Sequence, residues 1–131
     1  MVANTGVVGD RVGDFINRLK NASAVNKSAV SVSYTKMLHA VAEVLRKEGY
    51  LSSVEKTGKD VGKTLTVKIA KPIKFVRRHS KPSRRLYVKS KTAPLGKGGR
   101  GITVLSTPKG IMTSAEAKKS HVGGEILFTL I

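Results

Sequence analysis

The chain has 131 residues, of which 40% are hydrophobic and 5% aromatic, which suits one domain or two small lobes sharing an aliphatic core. It has no cysteine, which excludes a disulfide framework and a thiolate metal site, and no apolar run approaches membrane-spanning length. Lysine and arginine number 25 against 8 acids, and this net charge of +17 indicates a polyanionic partner, with nucleic acid favoured over an anionic membrane.

The first helix is predicted from Asp10 to Asn21. Its apolar side chains recur at the helical period and form one stripe, which comprises Val12, Phe15, Ile16 and Leu19. Asp10 is the expected N-cap, and Asp14 favours the positive end of the helix dipole. We expect this stripe to pack into a core and the basic residues of the helix to face a partner.

A strand over Ser28 to Ser33 and a second helix follow. Ser33 or Thr35 is the expected cap of this helix, and Gly49 is its expected left-handed stop. The apolar stripe of the helix is predicted to consist of Leu38, Val41, Ala42 and Leu45, widened by Met37 and Val44.

Further strands complete the first half. One begins over Val54 to Lys56, a turn runs from Thr57 to Gly62, and Thr64 to Ile69 alternates between apolar and polar residues. Ile73 to Arg78 is predicted as one more strand. Residues 1–72 are thus expected to form an N-terminal α-β-α-β-β lobe, in which a helix pair lies on an antiparallel sheet.

The second half is predicted to be rich in strands. Short strands are expected over Leu86 to Lys89, Ile102 to Ser106 and Ile126 to Ile131. Thr113 caps a short helix through Lys118, with Glu116 at the reciprocal capping position. We therefore predict an α+β fold of two small lobes, the second being a β-rich lobe over residues 73–131 with one short helix.

The middle of the chain has no acidic residues. Between Asp60 and Glu116 lie fourteen lysines and arginines and no Asp or Glu. This distribution indicates a localised nucleic-acid surface rather than a uniformly solvated face. The densest cluster predicts phosphate contacts by Arg78, Lys81, Arg84 and Arg85. Tyr87 follows, either to stack on a base or to serve as a core residue with an exposed hydroxyl.

A glycine-rich loop runs from Gly96 to Gly101. It matches a dinucleotide-binding pattern, but it leads into a strand where such a site needs a helix, so we reject that site. Two interpretations of the loop stay open. Lys97 and Arg100 contact nucleic-acid phosphate, or the loop is a flexible linker between the lobes.

The segment Ser106-Thr107-Pro108-Lys109-Gly110 combines two hydroxyls, a cation and two turn-forming residues. Hydroxyls in a tight turn can contact base edges or sugars of irregular RNA, and Lys109 can neutralise a phosphate. A turn without any role in binding RNA would have the same composition.

Catalysis and metal binding are not expected. His39, His79 and His121 are scattered without ligand spacing, so we predict no metal and no other cofactor. Nothing in the sequence ties His39 to His121 as the acid and base of an RNA-cleaving site. Glu125 is a lone carboxylate, expected to accept backbone amides or to orient a nearby arginine. We therefore predict that the protein is not an enzyme.

Several segments together point to one known family. Ser106 to Thr113 follows the pattern Ser-Thr-x-x-Gly-apolar-Met-Thr, and Gly123-Gly124-Glu125-Ile126 comes after it. Arg78 to Tyr87 follows the pattern Arg-x-Ser-x-Pro-x-x-Arg-x-Tyr, and Val12 to Asn21 is similar to the opening helix of the same family. In these segments the chain resembles the small-subunit ribosomal protein S-eight family.

The resemblance implies a two-lobed protein without a cofactor that binds the central domain of small-subunit ribosomal RNA and helps assemble the subunit platform. It implies RNA contacts at Ser106 and Thr107, with Tyr87, Gly124 and Glu125 close to that site. For the first helix, it implies that Arg18 and Asn21 approach RNA.

The resemblance also implies partners and a location. The expected partners are ribosomal RNA, neighbouring small-subunit ribosomal proteins and, in a second role known in the family, the protein's own messenger RNA. No membrane is expected among them. The implied location is the ribosome, either in the bacterial cytoplasm or in an organelle.

The chain departs from the family pattern at several positions. Pro108 replaces a third hydroxyl in the turn, which removes a donor and stiffens the backbone. Ser33 stands where a proline is usual, His121 stands where a glycine is usual, and the frequent final tryptophan is absent. These departures indicate a divergent bacterial or organellar member.

Overall fold

The structure of the protein is a computed structural model that describes residues 11–58, 62–79, 84–90 and 101–131. Its first helix, α1 (Arg11–Ala24), buries Phe15, Ile16 and Leu19, as the apolar stripe predicts. Asp14 lies in its first turn, where a carboxylate is favourable. The expected cap, Asp10, lies outside the described residues.

The second helix, α2 (Lys36–Lys47), is fixed at both ends by the expected residues. Thr35 is its N-cap and accepts a hydrogen bond from the backbone N–H of Leu38 at 3.0 Å. Gly49 follows the helix with φ of 89°, which is left-handed and favours glycine. The prediction that Met37 widens the buried stripe is wrong, because Met37 is 40% exposed, whereas Val44 is buried.

Three antiparallel strands form the first sheet, in the order β1-β3-β2. They are β1 (Ala29–Ser33), β2 (Leu51–Thr57) and β3 (Thr64–Ile69). The bounds of β3 match the prediction, because Leu65 and Val67 alternate with polar residues and are fully buried. Strand β2 begins before the predicted Val54.

Five strands form the second sheet, in which β4, β8, β6 and β7 are neighbours in that order and β5 also pairs with β8. The strands are β4 (Val76–Arg78), β5 (Tyr87–Val88), β6 (Ile102–Thr107), β7 (Gly110–Thr113) and β8 (Gly124–Leu130). The predicted strand over Ile73 to Arg78 is shorter in the structure, where only Val76–Arg78 is a strand, and it pairs with β8. Strand β7 was not predicted from the sequence.

The short helix α3 (Ser114–Lys119) follows β7 directly. The Thr113 side chain accepts a hydrogen bond from the backbone N–H of Glu116, and the Glu116 side chain bonds back to the backbone of Thr113. This is the capping box that the sequence predicts. None of the helices in the described ranges has the length and hydropathy needed to span a bilayer.

One hydrophobic core joins the two sheets. Phe15, Leu45 and Leu65 pack in the same cluster as Val104 and Phe128 of the second sheet. A smaller cluster lies on the other face of that sheet and consists of Leu105, Ala117 and Ile126. The predicted α+β fold with antiparallel sheets is confirmed, and the boundary between residues 72 and 73 stays a prediction.

Candidate nucleic-acid interface

Three of the predicted site residues lie side by side across the second sheet. Glu125 on β8 is opposite Tyr87 on β5 and opposite Ser106 on β6. Opposed residues of an antiparallel pair project to the same face, so these three side chains form one line, which we call the sheet row. Tyr87 is 70% exposed, which excludes the interpretation of Tyr87 as a core residue and leaves its ring available for stacking.

Glu125 anchors a cation beside the sheet row. Arg85 Nη1 donates to Glu125 Oε1 at 3.3 Å and to Oε2 at 3.4 Å. The carboxylate side chain is only 14% exposed, whereas that of Arg85 is 54% exposed. A guanidinium has five N–H donors, more than one carboxylate occupies. Glu125 therefore orients Arg85, as the sequence analysis expected for this carboxylate, and the exposed guanidinium can still meet a phosphate.

The two hydroxyls of the turn between β6 and β7 lie in different environments. Thr107 is buried, and its Oγ1 donates to the carbonyl of Gly110 at 2.8 Å and accepts from the backbone N–H of Lys109 at 3.2 Å. The hydroxyl hydrogen of Thr107 is therefore used inside the turn. Ser106 is half-buried in the sheet row, and Pro108 and Lys109 are exposed at the tip.

Two glycines make the close packing around the sheet row possible. A Cβ added to Gly124 would lie 2.1 Å from the backbone oxygen of Ser106, and one added to Gly123 would lie 2.5 Å from that of Val88. No residue with a side chain fits at these distances without moving the backbone. Gly124, a predicted site residue, thus acts through its backbone, because it lets β8 approach β6.

Arg18 and Asn21 lie on another part of the molecule. They line a groove of about 410 Å³ between α1 and β1, together with Lys27 and Ser31. Arg18 Nε forms an ion pair with Asp14 Oδ2 at 3.2 Å, and both side chains are more than half exposed. The structure therefore separates the predicted site residues into a first group on α1 and a second group on the second sheet. Lys27 was not predicted as a site residue, since no periodic pattern of the sequence places it beside Arg18.

The remaining predicted cations are less closely grouped. Arg84 is exposed just before β5, and Arg78 is half-buried on β4, opposite Phe128. Lys81, Lys97 and Arg100 lie outside the described residues, as does the glycine-rich loop up to Arg100. Gly101 is described and has φ of 70°.

His79 contacts polar side chains of the second sheet. His79 Nε2 lies 2.8 Å from Thr129 Oγ1, which in turn lies 2.9 Å from the buried Thr103 Oγ1. Burial, followed by repulsion from Arg77, lowers the pKa of His79. Within the described residues, no group of three or more His, Cys, Asp or Glu side chains could hold a metal ion.

Comparison with known proteins identifies the family. The sequence profile described as "Ribosomal protein S8" matches residues 10–130. The chain belongs to the ribosomal protein S8 family. This result confirms the resemblance seen in the sequence, and it makes the protein a structural, non-enzymatic ribosomal protein of the small-subunit type, as predicted.

Relatives of this S8-family chain come from several bacteria. It is 42% identical over 125 residues to the small ribosomal subunit protein uS8 of Rippkaea orientalis, covering 90% of this chain and 94% of that relative. It is 41% identical over 124 residues to the protein of the same name from Kocuria rhizophila, with the same coverage of 90% and 94%. The corresponding protein of Nitrobacter hamburgensis is 42% identical over 127 residues, which cover 92% and 96% of the two chains.

Proposed function

We propose that this S8-family protein works in the small ribosomal subunit, where it binds the central domain of the ribosomal RNA and helps assemble the subunit platform. One observation supports this proposal above the others. The exposed ring of Tyr87, the half-buried hydroxyl of Ser106 and the Arg85–Glu125 pair occupy one stretch of the second sheet. Together they offer stacking, hydrogen bonding and phosphate neutralisation.

The chemistry of the sheet row suits irregular RNA. Single-stranded or bulged bases stack on aromatic rings, and hydroxyls reach their edges or the 2′-OH of the sugar. Tyr87 supplies the ring and Ser106 supplies the hydroxyl, at a spacing fixed by the sheet. Lys109 and Arg85 neutralise phosphates on either side of this contact.

The turn between β6 and β7 contributes a fixed backbone shape and few hydrogen-bond donors. Pro108 has no backbone N–H, so it offers no donor and holds its φ angle fixed. Thr107 holds the tip through its bonds to Gly110 and Lys109. We assign to Thr107 a positioning role, which leaves Ser106 as the hydroxyl of this turn that contacts RNA.

The α1 group forms a second RNA contact in this proposal. Arg18 and Asn21 face a groove bordered by Lys27 and Ser31, where cations and hydroxyls suit a sugar-phosphate backbone. The other predicted cations belong to the proposed footprint because of their charge, and they are Arg78, Lys81, Arg84, Lys97 and Arg100.

Partners and location follow from the same assignment. Neighbouring small-subunit ribosomal proteins are the proposed protein partners, and the protein's own messenger RNA is the proposed second RNA. The ribosome of a bacterial cytoplasm is the proposed location, with an organellar ribosome as the alternative. The bacterial names of the relatives favour the first.

A substitution in the sheet row tests the function. We expect Ser106→Ala to weaken binding to a central-domain RNA hairpin and to narrow the gap in affinity between that hairpin and a scrambled RNA, because a base or sugar contact discriminates. The control Arg84→Ala should weaken binding to both RNAs equally, because a phosphate contact carries no sequence information. It should also make binding depend less steeply on salt concentration. Filter-binding titrations across salt measure both effects, with duplex DNA as a further competitor.

Equal losses of Ser106→Ala on the two RNAs would contradict the proposed role of the sheet row. Binding to duplex DNA as tight as to the hairpin would favour a general architectural nucleic-acid protein. Co-sedimentation of the wild-type protein with small ribosomal subunits gives an independent check of its place in the ribosome.

A further inference from the structure

The C-terminal end of α3 bears a basic cluster that the proposed RNA contacts do not include. Lys118, Lys119 and His121 are all exposed, and we call them the α3 cluster. The helix ends with hydrogen bonds from the N–H of Val122 to the carbonyl of Ala117, at 3.0 Å, and from that of His121 to Lys118, at 3.3 Å. These two bonds define a Schellman motif and fix the cluster on the fold.

His121 holds a position in this motif that glycine usually occupies. Its φ is 55°, in the left-handed region that strains a residue with a Cβ. The side chain is exposed, so no burial in the core offsets the strain. The turn itself needs only the contact between Val122 and Ala117, both in the smaller hydrophobic cluster. Strained residues cluster at sites that contact ligands, which makes the exposed His121 a candidate for contact with a partner.

Among the described residues, no carboxylate forms an ion pair with a side chain of the α3 cluster. The acid next to it in sequence, Glu116, is already bonded, because its Oε1 accepts from Thr113 N at 3.4 Å and from Thr113 Oγ1 at 3.3 Å. In the described parts of the chain, the ion pairs join other residues, and neither Lys118 nor Lys119 takes part. The cluster therefore keeps its positive charge for a partner.

The α3 cluster is attached to the sheet row through a short, tightly packed link. Val122 packs in the smaller cluster, and Gly123 lies so close to β5 that a Cβ there would meet the backbone oxygen of Val88. Gly124 then starts β8, and the next residue is Glu125 of the sheet row. Helix α3 packs through Ala117 on the face of the second sheet opposite the sheet row, so RNA on the sheet row would reach the α3 cluster by continuing around the end of β8 and β5.

We propose that Lys118, Lys119 and His121 bind the sugar-phosphate backbone of RNA that extends beyond the contact at the sheet row. This proposal rests on the proposed function and lengthens its footprint. The two ammonium groups neutralise phosphates, and an imidazole N–H of His121 donates a hydrogen bond to a phosphate oxygen. An RNA backbone is the favoured occupant because the cluster is positive and offers donors with no apolar surface.

The test compares two RNAs and two variants of the full-length protein. The short RNA is a central-domain hairpin just large enough to cover the sheet row, and the long RNA adds duplex on each side. We expect Lys118→Ala/Lys119→Ala to bind the short hairpin normally and to lower the salt slope on the long RNA by roughly 1.8, or about 0.9 per lost phosphate contact. Its deficit on the long RNA should shrink roughly tenfold between 50 and 200 mM salt.

His121→Gly is the second variant, and it separates binding from folding. Glycine relieves the left-handed strain, so this variant should unfold at a higher urea concentration than the wild type. We nevertheless expect it to bind the long RNA a few-fold more weakly, because it lacks the imidazole donor. A loss of binding in a stabilised protein cannot come from misfolding.

The outcomes distinguish this proposal from the proposed function. Wild-type affinity of both variants for the long RNA would overturn the α3 cluster as an RNA site and leave the lysines as partners of the helix dipole. If the variants bind the long RNA like the wild type but co-sediment less with small subunits, the α3 cluster contacts a protein partner. That result would also overturn the proposal of an RNA site. Failure of the proposed function has a different signature, which is a Ser106→Ala variant that binds the short hairpin like the wild type.

Discussion

The two halves of this protein use their few acids in different ways. Residues 1–72 have 12 lysines and arginines against 6 acids, whereas residues 73–131 have 13 against 2. In the first half, Asp14 pairs with an arginine about one turn away on α1, and Glu43 pairs with an arginine about one turn away on α2. These exposed ion pairs contribute little to stability. In the second half, Glu116 caps a helix and Glu125 orients Arg85 across forty residues of sequence.

This difference shows that the second half keeps most of its positive charge without neutralising carboxylates. Both of its acids shape a surface, and the other cations of that half have few carboxylates to neutralise them. The first half has the larger share of the core, including Phe15, Leu45 and Leu65. The comparison therefore separates a first half that supplies most of the core from a second half in which cations far outnumber acids, and substitutions in each half can break or sharpen it.

The largest effect is expected from Gly124→Ala. The added Cβ would lie 2.1 Å from the backbone oxygen of Ser106, so β8 and β6 must separate and the sheet row must lose its alignment. We expect a loss of stability on the order of 3 kcal/mol, measured by urea denaturation, and a loss of hairpin binding in the protein that remains folded.

The control for this substitution lies in the first half. Gly62 has φ of 76°, and no described atom outside its neighbours in the chain lies within 4 Å of the position that its Cβ would occupy. Gly62→Ala should therefore cost only the backbone strain, about 1 kcal/mol, and should leave RNA binding unchanged. Equal costs for the two substitutions would show that the close approach of β8 to β6 is not a constraint.

A smaller effect is expected from Thr107→Val, which tests the positioning role of Thr107. The methyl group that replaces the hydroxyl can neither donate to Gly110 nor accept from Lys109, so the tip loses both bonds. We expect stability to fall by about 1–2 kcal/mol and hairpin binding to fall with it. Thr107→Ser, which keeps the hydroxyl, should restore most of both. Lost binding at unchanged stability would instead mean that the Thr107 hydroxyl contacts RNA directly.

The contrast between Ser106 and Thr107 also shows what the sequence could and could not predict. Both hydroxyls are obvious in the turn, but which one faces the sheet row depends on the register between β6 and β8, where a shift of one residue exchanges the faces. Register is a non-local property, so local patterns could not predict the alignment of Tyr87, Glu125 and Ser106, and only the family resemblance implied that they lie close together. The pairing of Val76–Arg78 with β8 in particular was not predicted either, because local alternation does not identify a partner strand.

Local signals, by contrast, predicted local structure well. Alternation predicted the bounds of β3, and the pair Thr113 and Glu116 predicted the cap of α3. Strand β7 was missed because its residues Gly110–Thr113 are few and become a strand only by pairing with β6 across the turn. Physical signals that act within a few residues were sufficient for these elements, and pairing across the chain was required for the site.

The smallest effect on stability is expected from protonation of His79. This effect sharpens the comparison of the two halves because the His79 side chain contacts polar side chains of the second sheet. Burial, and then the charge of Arg77, lowers its pKa below the ordinary value of 6.5. As the pH falls below about 6.5, the unfolded chain takes up a proton that the folded protein disfavours. The stability that neutral His79 confers is therefore present above this pH and is lost as the pH falls through the lower pKa of the folded state.

His79→Gln isolates this contribution. Glutamine keeps an amide that can bond to Thr129 Oγ1 but does not titrate, so the variant should lose less stability than the wild type between pH 7.5 and pH 5.5 in urea denaturation. His39→Gln, in the first half, is the matched control for the replacement of a histidine by glutamine. If the two variants show the same pH dependence, the carboxylates rather than His79 govern the loss of stability, and the polar contact between His79 and Thr129 would add nothing that distinguishes the second sheet from the first.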